Sequence, residues 1–409
     1  MEIITIIYLV YIFIGLYFLS LSILTYLKNK KEMYFVPELL EKNSLSIVVP
    51  CYNEEGSIVE TLKTILDSDY PALKKIFVVD DCSTDNSFEL VKAMAEKYSN
   101  IVALQTPKNT GNAAGAKIYG AKFVDTELIG FVDSDSYLSK DAISKMIGFF
   151  KDSQVGAATS SVLVKNKKNL LEKMQILEYK VIAFSRKLLE FVDAIYVVPG
   201  PLAIYRKSAY DEVGGFDANN LTEDIELTIN LASKGYKIRM SMTSWVYTIA
   251  PVKFKEWFNQ RIRWNVGGLQ TIIKYKSSVL RRNILGLFIL PFFVLSWVLG
   301  LVGLGLFIYR IFRYIILQYL NVTYSVHAQT ALMTFRDISL IPNVLVFFGV
   351  VLICLSFYFT VLALLYTKEK DVKVFEPLNV FLYMFVYLLL YPIVLIISLY
   401  KFLRGKYSW

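Results

Sequence analysis

Leu45-Ser-Ile-Val-Val-Pro-Cys-Tyr-Asn-Glu-Glu55 is followed along the chain by Lys75-Ile-Phe-Val-Val-Asp-Asp-Cys-Ser-Thr-Asp85 and by Leu128-Ile-Gly-Phe-Val-Asp-Ser-Asp-Ser136. Each opens as a short run rich in Val and Ile and breaks into a polar, acidic cluster, as a buried strand does where it leaves its sheet. These runs predict strands at 46–49, 75–79 and 128–132, with a fourth at 101–104. Between them, residues 55–66, 86–98 and 113–124 carry apolar side chains at helical spacing. Such alternation through short links predicts a mostly parallel sheet covered on both faces. Ligands of these sheets bind beyond the carboxyl ends of the strands, which gathers 50–55, 80–85 and 133–136 at one site. A dinucleotide fold would need G-x-G-x-x-G after the first strand, where 51–56 holds only Gly56, and no P-loop follows any strand.

The composition adds a membrane. Of 409 residues, 55% are hydrophobic and 19% charged, and the mean hydropathy is +0.46, outside the range of a wholly soluble chain. Apolar runs at 3–27, 284–309, 340–366 and 378–400 are each close to the ~20 residues that a spanning helix needs. The first follows Glu2 rather than a basic start and has no small-residue cleavage site, so it reads as a retained anchor. Lys28, Lys30 and Lys31, then Lys274, Lys276, Arg281 and Arg282, then Lys368, Lys370 and Lys373 flank these runs on one common side. By the positive-inside rule that side is the cytoplasm. Lys401, Arg404, Lys406 and a loop at 310–339, which holds the triplet Asn321-Val-Thr323, then fall outside. The resulting division is an N-terminal span at 1–27, a cytoplasmic domain at 28–250, an amphipathic interfacial segment at 251–283, and a membrane domain of about three spans at 284–409.

The net charge of +9 suits anionic substrates or lipid headgroups. Cys51, Cys82 and Cys354 are too widely spaced for a disulfide framework, and His327 is the only histidine. Catalysis must therefore run on carboxylates, with a hard, oxygen-liking cation where a metal is used. Asp133-Ser-Asp135 supplies two carboxylates at a strand end, able to meet one divalent ion that bridges a diphosphate. Alone, the same triplet describes an Asx turn or a helix cap. Residues 170–192 carry an apolar helical stripe that suits core packing and membrane contact equally.

The triplet has company. Val48-Val-Pro-Cys-Tyr-Asn-Glu-Glu55, Val79-Asp-Asp81, Asp133-Ser-Asp135, Thr222-Glu-Asp224 and Gln260-Arg-Ile-Arg-Trp264 occur in this order. The series resembles the membrane-embedded family 2 glycosyltransferases, the processive synthases of cellulose, chitin, hyaluronan and poly-N-acetylglucosamine, over residues 44–282. The resemblance implies an α/β domain of the GT-A type (a nucleotide-diphospho-sugar transferase) joined to helical transmembrane segments in the plasma membrane. It assigns Pro50, Tyr52, Glu54, Asp80 and Asp81 to the nucleotide, and Asp133 and Asp135 to Mg²⁺ or Mn²⁺ and the sugar diphosphate. Asp224 becomes the general base with Glu223 beside it, Arg263 a diphosphate contact, and Gln260 and Trp264 acceptor contacts. Asn112 and Lys117 stand near a position where relatives contact the diphosphate, and Gly200-Pro-Leu-Ala203 near their acceptor loop.

The physics of the residues agrees with these roles. An inverting transfer needs one base for the acceptor proton, and no histidine lies in the soluble block. An arginine can pair with a departing phosphate, and a tryptophan offers a flat face to a sugar. Thr222 to Leu231 also describes a helix start with acids in its first turn, a rigid mount for a base. Gln260 to Trp264 also suits an interfacial helix, where Arg and Trp are common. The expected partners are a UDP-sugar donor, a saccharide or lipid acceptor and membrane lipids, with no nucleic acid. Four spans are few for a polysaccharide channel, so a partner subunit or a homo-oligomer is expected. Extension of a β-linked polysaccharide is the leading expectation and a single transfer to a lipid the alternative. A transporter is disfavoured, because the spans carry almost no ionisable residues between their ends.

Overall fold

The computed structural model describes residues 3–39, 43–281, 283–328, 344–366 and 376–405. Its strands are β1 (Leu45–Cys51), β2 (Leu73–Asp80), β3 (Ile101–Gln105), β4 (Leu128–Phe131), β5 (Ser136–Leu138), β6 (Val155–Val164), β7 (Ala203–Arg206) and β8 (Lys237–Thr248). They form one sheet in the order β3-β2-β1-β4-β7-β6-β8-β5. The first four are the strands expected from sequence, and they pair in parallel. β1 and β4 run in register from Leu45 opposite Leu128 to Val48 opposite Phe131. Every side chain of both strands is buried, as the near-continuous apolar runs of parallel strands require.

The second half of the sheet departs from the expected pattern. β7 is antiparallel to both β4 and β6, β6 and β8 are parallel, and β5 closes the edge antiparallel to β8. Among the described residues the sheet is therefore mixed. β6 reads Val-Gly-Ala-Ala-Thr-Ser-Ser-Val-Leu-Val with all positions buried. Its small polar centre lacks the β-branched density that marks a strand in sequence.

Helix Ala113–Ala121 lies on β1 and β2, where a Cβ on Gly120 would come within 2.6 Å of Val48. Helix Leu170–Glu190 is started by a capping box. Asn169 Oδ1 accepts from the Glu172 amide at 2.8 Å, and Glu172 Oε2 accepts from the Asn169 amide at 2.9 Å. Its stripe packs inside the protein, as the core-packing expectation has it. Leu177 packs with Trp257 and Val394, while Phe184 and Leu188 pack with Tyr26 and Ala363 of two apolar helices.

Four helices are long and apolar enough to cross a membrane: Ile3–Asn29, Leu285–Ala328, Val346–Tyr366 and Pro377–Leu403. The second corrects the sequence reading. Its 44 residues continue through 310–328, where a loop was expected, and place Asn321 and Thr323 on a helix. At 1.5 Å per residue it is ~66 Å long, about twice a hydrocarbon core. Arg282, Lys368, Lys370, Lys373 and Lys406, with residues 329–339 of the expected loop and 340–343 of the third expected span, lie outside the described residues.

One buried ion pair joins the domain to the spans. Arg261, on helix Phe254–Lys274, donates from Nη2 to Glu178 Oε2 at 2.6 Å, with side chains 1% and 4% exposed. The Tyr387 and Tyr391 hydroxyls of the C-terminal span also donate to Glu178. Removing one partner of a buried pair strands the other charge, at a cost of about 3–5 kcal/mol. Glu178→Ala is expected to lose stability on that scale in thermal unfolding of the detergent-solubilised protein. The double variant Glu178→Met/Arg261→Met is expected to lose clearly less than the two single methionine variants summed.

Candidate active site

The carboxyl ends of β1, β2 and β4 open onto a cavity of about 1090 Å³, lined there by Pro50, Tyr52, Glu54, Asp81, Asp133 and Asp135. Glu223 and Asp224 enter it from the start of helix Glu223–Ser233, and Gln260, Arg263 and Trp264 from helix Phe254–Lys274. Residues separated by two hundred positions thus face one space. Asp80 does not line it, a correction to the sequence reading. Its side chain is fully buried, and Oδ2 accepts from the Ser83 amide at 3.1 Å and Gln105 Nε2 at 2.9 Å. Asp80 closes a turn. Asp81 faces the cavity, and its carboxylate takes hydrogen bonds from Thr106 Oγ1 at 2.7 Å, the Thr110 amide and Thr110 Oγ1.

Lys117, placed by sequence near a diphosphate contact, is paired here with two carboxylates. Its buried ammonium lies 2.9 Å from Glu223 Oε1 and 3.2 Å from Asp133 Oδ1. It ties the strand-end Asp133 to the helix carrying Asp224. Burial works against its charge, but Asp133 and Glu223 raise its pKa above the ordinary lysine value. On the other side of Asp133 the backbone comes close: a Cβ on Gly200 would sit 2.3 Å from Asp133 Oδ2. Only glycine leaves that carboxylate where it is.

The remaining acids titrate differently. Burial, then the neighbouring Asp133 and Glu54, push Asp135 up to about 7. No ion pair with a cation relieves it among the described residues. Two carboxylates with one residue between them, one of them short of positive charge, fit a hard divalent cation. No group of three or more His, Cys, Asp or Glu side chains suited to a metal occurs among the described residues. A diphosphate would therefore have to supply further oxygens. Glu223 is held below its usual range because Lys117 outweighs the burial that opposes its charge. Burial and the Glu223 charge push Asp224 up to about 6. Adjacent carboxylates whose environments drive them apart divide the labour between a fixed anion and a proton acceptor.

Thr222 sits at the N-cap, but its hydroxyl makes no capping bond; the expected cap is made in position only. The mount is held from outside. Leu221 donates its amide to Gln270 Oε1 at 2.9 Å, Arg263 donates to the Leu221 carbonyl at 3.3 Å, and a Cβ on Gly267 would strike Thr222 Oγ1 at 2.1 Å. Helix Phe254–Lys274 therefore presses directly on the segment that carries Asp224. Arg261, unnamed from sequence, stacks its guanidinium 4.1 Å from the Trp264 ring centre and fixes that ring at the cavity wall. The wall continues onto helix Leu285–Ala328 through Phe292, Phe293, Ser296 and Trp297.

A mixed sheet with acids at its strand ends, closed by helix Phe254–Lys274 against long apolar helices, is the architecture of a membrane-associated transferase. The family model described as Glycosyltransferase like family 2 matches residues 42–267, and the chain belongs to that family. The poly-β-1,6-N-acetyl-D-glucosamine synthase of Staphylococcus aureus strain MSSA476 is 29% identical over 280 residues, covering 68% of this chain and 66% of the relative. That of Staphylococcus epidermidis is 29% identical over 290 residues, with 69% of each chain covered. The match thus spans just under two thirds of the first relative's own length. A mannosyltransferase from Pyrobaculum calidifontis, solved with GDP-mannose and Mn²⁺, aligns with a TM-score of 0.58 at 17% identity, covering 98% of this chain and 100% of that one. Its likeness concerns the fold. The domain is a GT-A-type glycosyltransferase domain, and the chain is a membrane enzyme.

Acting as a general base, Asp224 would be active only when deprotonated. Turnover is expected to hold above pH 6 and to fall as pH drops through about 6. Asp224→Asn keeps the shape but accepts no proton, so the rate should drop ~100- to 10,000-fold with nucleotide affinity retained. Near-normal turnover in that variant would reduce Asp224 to a structural acid.

Proposed function

We propose that this enzyme transfers a sugar, with inversion, from a UDP-linked donor to a hydroxyl of a saccharide acceptor, and so extends a β-linked polysaccharide on the cytoplasmic face of the plasma membrane. The observation that carries the proposal is the meeting of Asp133, Asp135, Asp224, Arg263 and Trp264 at one cavity that continues into membrane helices. The similarity to poly-N-acetylglucosamine synthases supports the polymer and N-acetylglucosamine as the sugar.

In this reading Pro50, Tyr52, Glu54 and Asp81 hold the nucleotide. Asp133 and Asp135 would hold Mg²⁺ or Mn²⁺, which when bound neutralises diphosphate charge. Asp224 takes the acceptor hydroxyl proton as the oxygen bonds to the anomeric carbon. The bond from that carbon to the diphosphate breaks on the opposite face, and UDP leaves with the electron pair. Arg263 stabilises the departing phosphate. Lys117 keeps Glu223 ionised and Asp133 in place, and Gln260 and Trp264 hold the acceptor sugar. A single transfer to a lipid is the second reading, favoured by the apolar continuation of the cavity.

Purified protein supplied with UDP-N-acetylglucosamine, UDP-glucose and other donors, with the products sized, tests the proposal. Polymer from one UDP-sugar is expected; one added residue on lipid would favour the second reading. Excess chelator, and equally Asp135→Ala, should abolish turnover, and Mg²⁺ or Mn²⁺ should restore it to the chelated wild type. Full activity in chelator would remove the metal from the mechanism. Trp264→Ala should shorten or abolish the polymer while UDP affinity stays close to normal. Product of normal length at reduced yield would make Trp264 a membrane anchor instead.

A further inference from the structure

One cation in the cavity has no task in the transfer just described. Arg186, on helix Leu170–Glu190, is 8% exposed and lines the cavity wall. Among the described residues it has neither a hydrogen bond nor an ion pair. The titratable groups that act on it are Tyr196, Asp224 and Tyr179. A guanidinium stays charged even where burial opposes it, and leaving one unpaired out of water is costly. Such a group fits an anion that arrives with a ligand.

A second cavity, of about 390 Å³, lies among the membrane helices and is lined by apolar side chains such as Phe18, Leu188, Leu299, Leu352 and Phe359. Ser185, Leu189 and Phe292 line both cavities. Ser185 and Leu189 flank Arg186 on its own helix. The free cation thus stands where a polar reaction space meets an apolar one, with the base on the polar side. A sugar polymer, hydroxylated throughout, has little use for the apolar space; a hydrocarbon tail fits it.

We propose that Arg186 binds the phosphate of a lipid acceptor whose hydrocarbon occupies the apolar cavity and whose free hydroxyl faces Asp224. The proposal rests on the nucleotide-sugar reading of the same site and names its first acceptor, a phosphate-bearing lipid on which a saccharide is begun.

Full-length protein in detergent micelles is titrated with dioctanoyl phosphatidylglycerol, with dioctanoylglycerol, which lacks the phosphate, with glycerol 3-phosphate, which lacks the tails, and separately with UDP. Wild type is expected to bind the phosphatidylglycerol at least about tenfold more tightly than either fragment, the scale of one charge-assisted contact. Arg186→Ala should lose that preference, Arg186→Lys should keep part of it, and UDP affinity should be equal in all three. Arg186→Gln serves in place of the alanine variant if the latter fails to fold. Unchanged phosphatidylglycerol affinity without the arginine overturns the proposal, as does equal binding of dioctanoylglycerol. Glycerol 3-phosphate binding as tightly as the lipid overturns it in favour of a soluble phosphate. A parallel loss of UDP affinity overturns it in favour of a donor contact. Wild type that fails to bind UDP defeats the nucleotide-sugar reading itself, a separate result.

Discussion

The buried contact between Glu178 and Arg261 decides how the soluble domain meets its membrane helices. Neither residue belongs to the sheet, yet Arg261 itself lines the cavity. Glu178 collects Arg261 and the hydroxyls of Tyr387 and Tyr391, so three chain segments converge on one carboxylate. Such a group is stable only when its hydrogen bonds are satisfied together. Arg261 also carries the Trp264 ring on its guanidinium. The seating of the domain on the apolar helices and the placing of the Trp264 ring therefore depend on the same side chain.

Within the cavity Lys117 does comparable work on a smaller scale. It places one positive charge between Asp133 and Glu223, leaving Asp135 and Asp224 as the acids that burial and neighbouring charge push upward. Asp135 can be relieved by a cation and Asp224 by a proton. Similar side chains acquire different chemistry from what stands beside them.

The sequence was legible wherever local pattern and function coincide. β1 to β4 are apolar runs ending in acids, and those acids are also the chemistry. Asp133, Asp135, Asp224, Arg263 and Trp264 accordingly reach the cavity as expected. Asp80 was misread because adjacent aspartates look alike in sequence, whereas a strand sends them to opposite faces. β6 and β7 went unseen because small and mixed side chains carry no strand periodicity. Glu178 and Arg186, and the two carboxylates that Lys117 joins, were illegible: their importance lies in partners, or a lack of partners, that only the folded chain determines. The helix through 310–328 was taken for a loop because basic and polar residues interrupt its apolar run.

Trp297, on a membrane helix, comes within 3.4 Å of where a Gly268 side chain would begin. Gly267, the next residue, abuts Thr222, two positions before Asp224. A short train of close approaches therefore runs from this apolar helix to the segment that carries Asp224. Membrane helices tilt to match the bilayer around them, at fractions of a kcal/mol per Å of mismatch, and a tilt of this one would displace the cavity wall that Phe292, Phe293, Ser296 and Trp297 form. Bilayer thickness would thereby enter the geometry of the cavity, and the surrounding lipid would become one of the enzyme's operating conditions.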